Sequence, residues 1–485
     1  MAKLKYAGEF VVETAKIAST SGEVTDVTDL ISAINIYEDI FKSAITGDIS
    51  LVDTTNIVTS LPIIGQEKLI LKIVTPQDGL VDRTTSLDFT EYPLYIYKVD
   101  STIKVNDSTN AVSLSFTSAE AVRNNRIRVS QAFEGEPAVD ILQKIIRDED
   151  LLNSKKEFYY EETSNNFKFV SPNSRPLDFI NKIAKRCLSK EYNFAPTFVF
   201  YETCKGFYFR TIDSMMDRKN VRSVYTSDTP NLEGADAARH MLNIIDYNVA
   251  GSTDTMMNMR GGMYGSNLLM IDLLNKTVEN FNYNYFDSFE EGEKQDVHVD
   301  EYAKSYSSEQ APLASKCKDD FGNFLVDYDQ STLYMQAVDR DVPQGIFSPR
   351  HTGTFDYSGT DNWLQRREGR FMALDSSLRL EMQVHGNTSL AAGDLIGVNI
   401  PNKNPKTLDQ TSADPYYSGR YLVRTLRHSF EKSVDGTDKH VIYMTAIRDT
   451  ISRPYPSNGV SVMDGGTPVD ELIPTGEESA SESQY

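Results

Sequence analysis

The strongest pattern in the chain has a period of two. Val112, Leu114 and Phe116 alternate with Ser113, Ser115 and Thr117, which predicts a strand with one buried face. The NDSTN turn joins it to the strand before it. Leu69, Leu71 and Ile73 point one way and Lys68 and Lys72 the other; Ile70 interrupts the alternation, and Pro76 and Gly79 end the run. Residues 8–53 read as strands, with Gly47 separating IYEDIFKSAIT from DISLVD. Residues 1–118 are therefore expected to form an all-β domain, a small barrel. The same texture returns over 376–450: SLRLEMQVHG alternates, and GRYLVRTLRHSF is expected to pair with KHVIYMTAIRD across a link containing Asp435-Gly436.

Between these blocks the period changes to that of helices. EPAVDILQKIIRDED carries Val139, Leu142, Ile145 and Ile146 on one face, with Pro137 suited to the first turn. SPNSRPLDFINKIAKRCLS places Leu177, Ile180, Ile183, Ala184 and Cys187 together, so Cys187 is expected in a core. PTFVFYETCKGFYFRTID reads as a hairpin turning at Lys205-Gly206, and DNWLQRREGRFMALDS as a helix. MLNIIDYNV reads as a strand, and residues 287–328 are acidic and polar with few signals. The expected fold is α+β, mainly β. A first β-barrel domain covers 1–118, an α+β domain 119–215, and a second, discontinuous barrel 216–290 with 376–455. A peripheral domain is inserted at 291–375, and the acidic tail 456–485 is disordered by composition.

The two β blocks share a motif. SLPIIGQEKLILKI (60–73) and SLAAGDLIGVNI (389–400) both read Ser-Leu, small or apolar residues, Gly, then polar residues and an apolar run. Each block then continues through a loop to a long hairpin. Gly65 and Gly393 are the candidate structural turns, at positions expected to need positive φ. The pattern leaves two readings open: a true duplication, or the order that any two small β-barrels share.

Composition narrows the function. A length of 485 residues suggests three or four domains. The net charge of -21 provides no basic footprint for gripping nucleic acid, so no sequence-specific nucleic-acid binding is expected. No run of about 18 apolar residues exists, so no membrane span is expected. MAKLKYAGEF lacks an apolar signal core, which points to synthesis in a cytoplasm. The three cysteines, Cys187, Cys204 and Cys317, contain no C-x-x-C pair, and neither a disulfide framework nor a zinc site is expected.

Candidate chemistry is sparse. No G-x-S-x-G, H-E-x-x-H, Walker loop or EF-hand sequence is present. RGGMYGS (260–266) lacks the Lys-Ser/Thr of a phosphate loop and reads as a tight turn. His428 and His440 are placed to face each other across the last hairpin, but two histidines without a third ligand make a poor metal site. Asp213 with Asp217, and Glu290 with Glu291, are the carboxylate pairs that chance supplies in so acidic a chain. The single Trp argues against sugar-stacking enzymes. No catalytic residue, cofactor or metal is expected, and the chain reads as a non-enzyme.

Four stretches carry a resemblance: INIYEDIFKSAITGDISLVDTTNIVTSLPIIGQEKLILKIVTP (34–76), NNFKFVSPNSRPLDFINKIAKRC with FVFYETCKGFYFRTID (165–213), GGMYGSNLLMIDLLNKTVENFNYNY (261–285), and LRLEMQVHGNTSLAAGDLIGVNIP with SGRYLVRTLRHSFE (378–431). In order and spacing they resemble the central baseplate hub proteins of T-even-like contractile-tailed bacteriophages. Residues 287–362 and the tail after 455 depart from that pattern. The resemblance implies two similar tube-type β-barrels per chain and a homotrimeric ring with six similar lobes. Such a ring would join a hexameric tail tube, or its initiator proteins, to a trimeric central spike, with baseplate wedge proteins around it and DNA passing through. It implies a virion location in the tail baseplate and a structural role, any wall-degrading activity belonging to the spike. Two other readings remain: a hub or spike-base subunit of a phage-derived injection system, and a tail-associated cell-wall hydrolase.

Overall fold

The computed structural model describes residues 5–20, 22–53, 63–76, 85–106, 109–217, 221–227, 240–250, 254–272, 276–285, 296–297, 331–338, 360–376, 378–401, 414, 417–433 and 437–449. The fold is mainly β with few helices, an α+β arrangement. The first β unit contains β1 (Val11–Ala18), β2 (Val24–Asp26), β3 (Ile31–Asp39), β4 (Thr46–Asp53), β5 (Lys68–Thr75), β6 (Thr85–Asp88), β7 (Leu94–Asn106) and β8 (Thr109–Thr117). The alternation in β8 works as read: Val112, Leu114 and Phe116 are buried beside Ile34, Ile36, Ile49, Leu69, Leu71 and Ile73 in one core.

An α+β unit follows. It holds β9 (Ala132–Pro137), β10 (Phe158–Tyr160), β11 (Asn166–Val170), β12 (Phe198–Thr203) and β13 (Gly206–Thr211), with helices Ala119–Arg126, Ala138–Arg147, Pro176–Ala184 and Ile212–Met216. β12 and β13 form the hairpin expected at Lys205-Gly206. Its core packs Ile141, Leu142, Ile145, Leu177, Ile180 and Cys187 against the stacked Phe198–Phe209 and Phe200–Phe207 pairs.

The chain then lays down β14 (Val221–Thr226) and β15 (Ile244–Val249), and leaves to form a separate sheet of β16 (Gly265–Asp272), β17 (Thr277–Asn284) and β18 (Leu333–Val338). Residues 265–284, grouped from sequence with the second β unit, pair instead with β18 and among themselves. The cause is local. Leu268 and Met270 are buried, and Gln365 Nε2 of the helix Thr360–Ser376 donates to Ser266 O at 2.9 Å, which ties this sheet to that helix. The chain returns through β19 (Leu378–His385), β20 (Leu395–Asn399), β21 (Gly419–Glu431) and β22 (Lys439–Arg448). The tail 456–485, most of the insertion 291–375, and Cys317, Glu290 and Glu291 lie outside the described residues.

The two β units have the same strand order. In the first, neighbours run β3-β4-β8-β7-β5; in the second, β15-β19-β22-β21-β20. Two of the irregularities also coincide, while β7 shifts register twice more against β8, at Val99/Ser101 and Lys104/Asn106, where β21 does not. β3 bulges between Ile31 and Ala33 against β4, and β15 between Ile244 and Asp246 against β19. β7 bulges between Ile96 and Lys98 against β8, and β21 between Val423 and Thr425 against β22. Bulges are placed features rather than noise, and a shared strand order with bulges at matching positions favours the duplication left open by the sequence. Both units lie in one 14-stranded sheet, and among the described residues neither closes into a barrel. β5 meets β7 over only two residue pairs, Lys68↔Tyr95 and Leu69↔Leu94, which leaves the first unit open on that side.

Candidate assembly interface

The sheet is continuous because β21 serves two neighbours. Its first part, Gly419–Leu422, pairs with β20, and after the bulge Thr425–Glu431 pairs antiparallel with Asp39–Ala33 of β3. Ile40 N donates to Arg424 O at 3.1 Å, and Lys432 N to Ser32 O at 2.9 Å, extending the ladder at both ends. One face of this joint is apolar: Ile34, Ile36, Leu426 and Phe430 are buried there, and Phe10 meets Phe430 edge-on at 5.1 Å. On the other face Arg427 donates twice to Asn35 Oδ1, at 3.0 and 2.9 Å, and its guanidinium lies 5.1 Å from the Tyr443 ring. Asn35 Nδ2 in turn donates to Asp48 Oδ2 at 2.7 Å, and Tyr37 Oη donates to Asp48 Oδ1 at 2.9 Å.

A shallow concavity of about 400 Å³ spans β15, β19, β22, β21 and β3. Asp39, Asp246 and Glu381 line it, with Arg427 and Lys42 as its cations.

Gly65 and Gly393 both sit at positive φ, +89° and +84°. Glu67 closes the first turn by accepting from Ile64 N, Gly65 N and Gln66 N at 2.8–3.0 Å. Asp394 closes the second by accepting from Ala391 N at 3.1 Å. The strand ladder shows that these glycines are offset by one residue. Glu67 O accepts from Ile96 N and Asp394 O from Val423 N, each at 2.9 Å, so Glu67 matches Asp394 and Gly65 matches Ala392. A Cβ on Gly393 would lie 2.2 Å from Tyr201 Oη, whereas one on Gly65 would meet Tyr97 O at 3.1 Å. The second turn is thus packed against the α+β unit, and Arg210 Nη2 donates to Gly393 O at 2.5 Å.

A buried ion cluster inside the α+β unit reaches the first β unit through Glu202. Lys156 Nζ lies 2.8 Å from Glu120 Oε2 and 2.6 Å from Glu202 Oε1. Ser154 Oγ donates to Glu120, and Ser118 Oγ and Ile45 N donate to Glu202. Burial pushes Lys156 down, but the two carboxylate charges outweigh it and hold the ammonium above the usual lysine range. Burial pushes Glu120 up, but Lys156 outweighs it and holds that carboxyl low; Glu202 stays raised, by burial first, with the Glu120 charge adding. Sequence reasoning missed all three because no local period marks them.

The sequence-derived chemical candidates are dispersed. His428 Nδ1 and His440 Nε2 are 3.0 Å apart and wholly buried. Burial pushes His428 down to about 3 and His440 well below the ordinary imidazole range, so both are neutral. No cluster of three or more metal-ligating side chains occurs among the described residues. Asp213 is buried, accepting from Thr197 Oγ1 at 2.5 Å and Val297 N at 2.9 Å. Burial pushes the thiols of Cys187 and Cys204 up, away from reactivity. In RGGMYGS, Gly262 ends the helix Thr255–Gly261 at φ +86°. No helix among the described residues is long and apolar enough to cross a membrane.

No protein-family model matches the sequence, and the search of curated proteins finds no match. Solved structures do. A tail protein from Neisseria meningitidis MC58 is 10% identical, covers 90% of this chain and 96% of its own, and has a TM-score of 0.48. The 43 kDa tail protein of prophage MuSo2 from Shewanella oneidensis is 9% identical, covers 90% and 99%, and scores 0.46. An E. coli component of the type VI secretion system, described as similar in structure to T4 bacteriophage tail proteins, is 9% identical, covers 93% and 81%, and scores 0.41. With scores below 0.5, function has to be argued from the chain itself.

Proposed function

We propose that this chain is a structural, non-enzymatic subunit of the hub of a contractile phage tail baseplate. Three copies form a ring with pseudo-sixfold symmetry that joins a hexameric tail tube to a trimeric central spike, with wedge proteins around it. The observation that carries the reading is the doubled β unit: two copies of one strand order, with matching bulges, fused edge to edge in one sheet. A chain that presents one kind of lobe twice gives six lobes in a trimer, the match a threefold-to-sixfold adapter needs, and a cyclic trimer closes by repeating one interface. The sequence resemblance supports the same reading. The concave face, with Asp39, Asp246 and Glu381, faces the bore and does not hold phosphate, so DNA passes without sticking. At physiological salt a surface charge reaches only about 8 Å, so only the carboxylates on that face matter.

Electron microscopy and native mass measurement of the protein, alone and with its neighbouring spike protein, test this. A ring of three chains with six inner lobes is the expected result. A monomer in both samples overturns it.

A further inference from the structure

The acidic stretch with few sequence signals contributes one firmly held dipeptide, Asp296–Val297, whose flanks, 286–295 and 298–330, lie outside the described residues. The dipeptide belongs to no helix or strand. Both backbone groups of Val297 are held by charged side chains instead. Val297 N donates to Asp213 Oδ1 at 2.9 Å, and Arg370 Nη2 donates to Val297 O. The carboxylate of Asp296 is buried and accepts from Arg366 Nε at 2.8 Å and from Arg366 Nη2. The Val297 side chain packs against a core that includes Ile212, Met215 and Leu374.

The groups that hold the dipeptide are themselves fixed. Arg366 and Arg370 stand one turn apart on the helix Thr360–Ser376, so both guanidiniums leave the same face. Arg366 Nη1 also donates to Asn193 O at 2.8 Å, and Arg370 Nη1 to Asp449 Oδ2 at 2.7 Å. Asp213 lies in the helix Ile212–Met216 and accepts from Thr197 Oγ1 as well. The site thus offers an acceptor for an N–H, a donor for the C=O of the same residue, a cation for the side chain before it and an apolar wall for its own side chain. The first two read backbone, which almost any residue supplies. The last two read a carboxylate followed by an aliphatic group. Hydrogen bonds to charged partners are the strong ones. Without Asp296, Arg366 would be a largely buried cation lacking its carboxylate, its side chain only 12% exposed.

We infer that Arg366, Arg370 and Asp213 form a peptide-recognition slot for an extended acidic–aliphatic pair, and that Asp296–Val297 is its tethered ligand, a releasable contact rather than a fixed part of the core. Tethering accounts for so short a ligand. A segment linked to its own site acts at a high effective concentration, so a slot of modest affinity stays filled. A segment of the same chemistry on another protein competes for it. The inference does not depend on the hub reading.

The test is exchange of the tether. A site for a sequence-specific protease is inserted on each side of the dipeptide, within 286–292 and within 300–306, in the full chain. After complete cutting, the protein is mixed with a labelled peptide of residues 293–299, EKQDVHV, and binding is read by fluorescence anisotropy up to millimolar peptide. The expected result is a cut chain that keeps its melting transition, releases its own fragment on gel filtration and takes up the labelled peptide saturably. The same peptide with Asp296→Asn should bind about tenfold more weakly or worse, the loss expected of a charged hydrogen-bond partner. Arg366→Gln in the cut chain should weaken the unaltered peptide by a similar factor and abolish the difference between the two peptides. A cut chain that unfolds, or that keeps its fragment and excludes the labelled peptide, overturns the inference, because the dipeptide is then core. Equal binding of the two peptides to the cut chain overturns the reading of the carboxylate by Arg366. Uptake by the uncut chain as strong as by the cut one places the peptide elsewhere and overturns the slot.

Discussion

Replacing Lys156 by Met tests whether the buried ion cluster stabilises the α+β unit. The lysine is the cation between Glu120 and Glu202, and all three side chains are at most 10% exposed. Removing one partner of a buried ion pair costs about 3–5 kcal/mol because the remaining charge is uncompensated. Here two carboxylates are left facing the same space. At roughly 2–4 °C per kcal/mol for folding units of 150–250 residues, the thermal midpoint should fall by about 10 °C. The pH dependence separates charge from packing. Lys156 is raised, so its share of stability is present below the ordinary lysine range and lost only as pH climbs through its folded value. Glu120 is lowered, so its share is present above about 4.3 and lost as pH falls through its folded value. Glu202 is raised and acts in the opposite sense, becoming less unfavourable as acid neutralises it. In the Lys156→Met chain both carboxyls lose their cation, so protonating them relieves the damage. The gap between variant and wild type, followed by circular dichroism melts at pH 7.5 and pH 5, should narrow in acid. Adding Glu120→Gln and Glu202→Gln should recover part of the loss at neutral pH. A gap under about 1 kcal/mol, below the range for buried pairs, or one that does not change with pH, would refute the reasoning.

Gly393→Val should be more damaging than Gly65→Val, because its Cβ would collide with Tyr201 while both share the positive-φ strain. Soluble yield and melting midpoint check this, and equal losses would count against it. The neutral pair His428–His440 makes the joint sensitive to acid: both folded values are depressed, so stability is full above about 6.5 and falls as pH drops below it. Hydrogen exchange of β21 and β22 amides should accelerate between pH 7 and pH 5.5, after correction for intrinsic rates, and less so in His428→Gln. The assembled ring should not retain duplex DNA at physiological salt. Asp39→Lys with Glu381→Lys should introduce retention that falls as salt rises, read by electrophoretic shift, and retention by the wild type would place a different face at the bore.

Much of the fold could be read locally. The alternation of β8, the helical faces at Val139–Ile146 and Leu177–Ala184, and the hairpin at Lys205-Gly206 each follow from a pattern inside one segment. The glycine motif pointed to the repeat but misaligned it. Glycine marks where the backbone turns, while the ladder contact at Glu67 and Asp394 marks the register, and the two differ by one residue. The interface was not legible, since Arg427 and Asn35 are 392 positions apart and nothing periodic links them. The partner of residues 265–284 was hidden for a related reason. An apolar strand pattern gives a strand but not its partner, and here the partner is β18.

The two copies differ where their surroundings differ. β21 and β7 are the same strand in two settings. Where β21 meets β3, the positions are His428, Ser429 and Phe430, all buried. The matching positions on β7 are Thr102, Ile103 and Lys104, all exposed. A permanently covered joint can use groups that water would not favour at a surface, such as a neutral imidazole and a phenyl ring. An exposed edge is kept from pairing indiscriminately by polar and charged side chains, and lysine on an exposed edge is the usual safeguard. Two of the three positions, His428 to Thr102 and Phe430 to Lys104, run in the direction expected of a covered joint and an exposed edge, whereas Ser429 to Ile103 runs the other way. Replacing Lys104 by Phe, the residue at the matching place in β21, should raise the tendency to associate and precipitate. Sedimentation across a dilution series reads this, and unchanged association would show that Lys104 does not guard the edge.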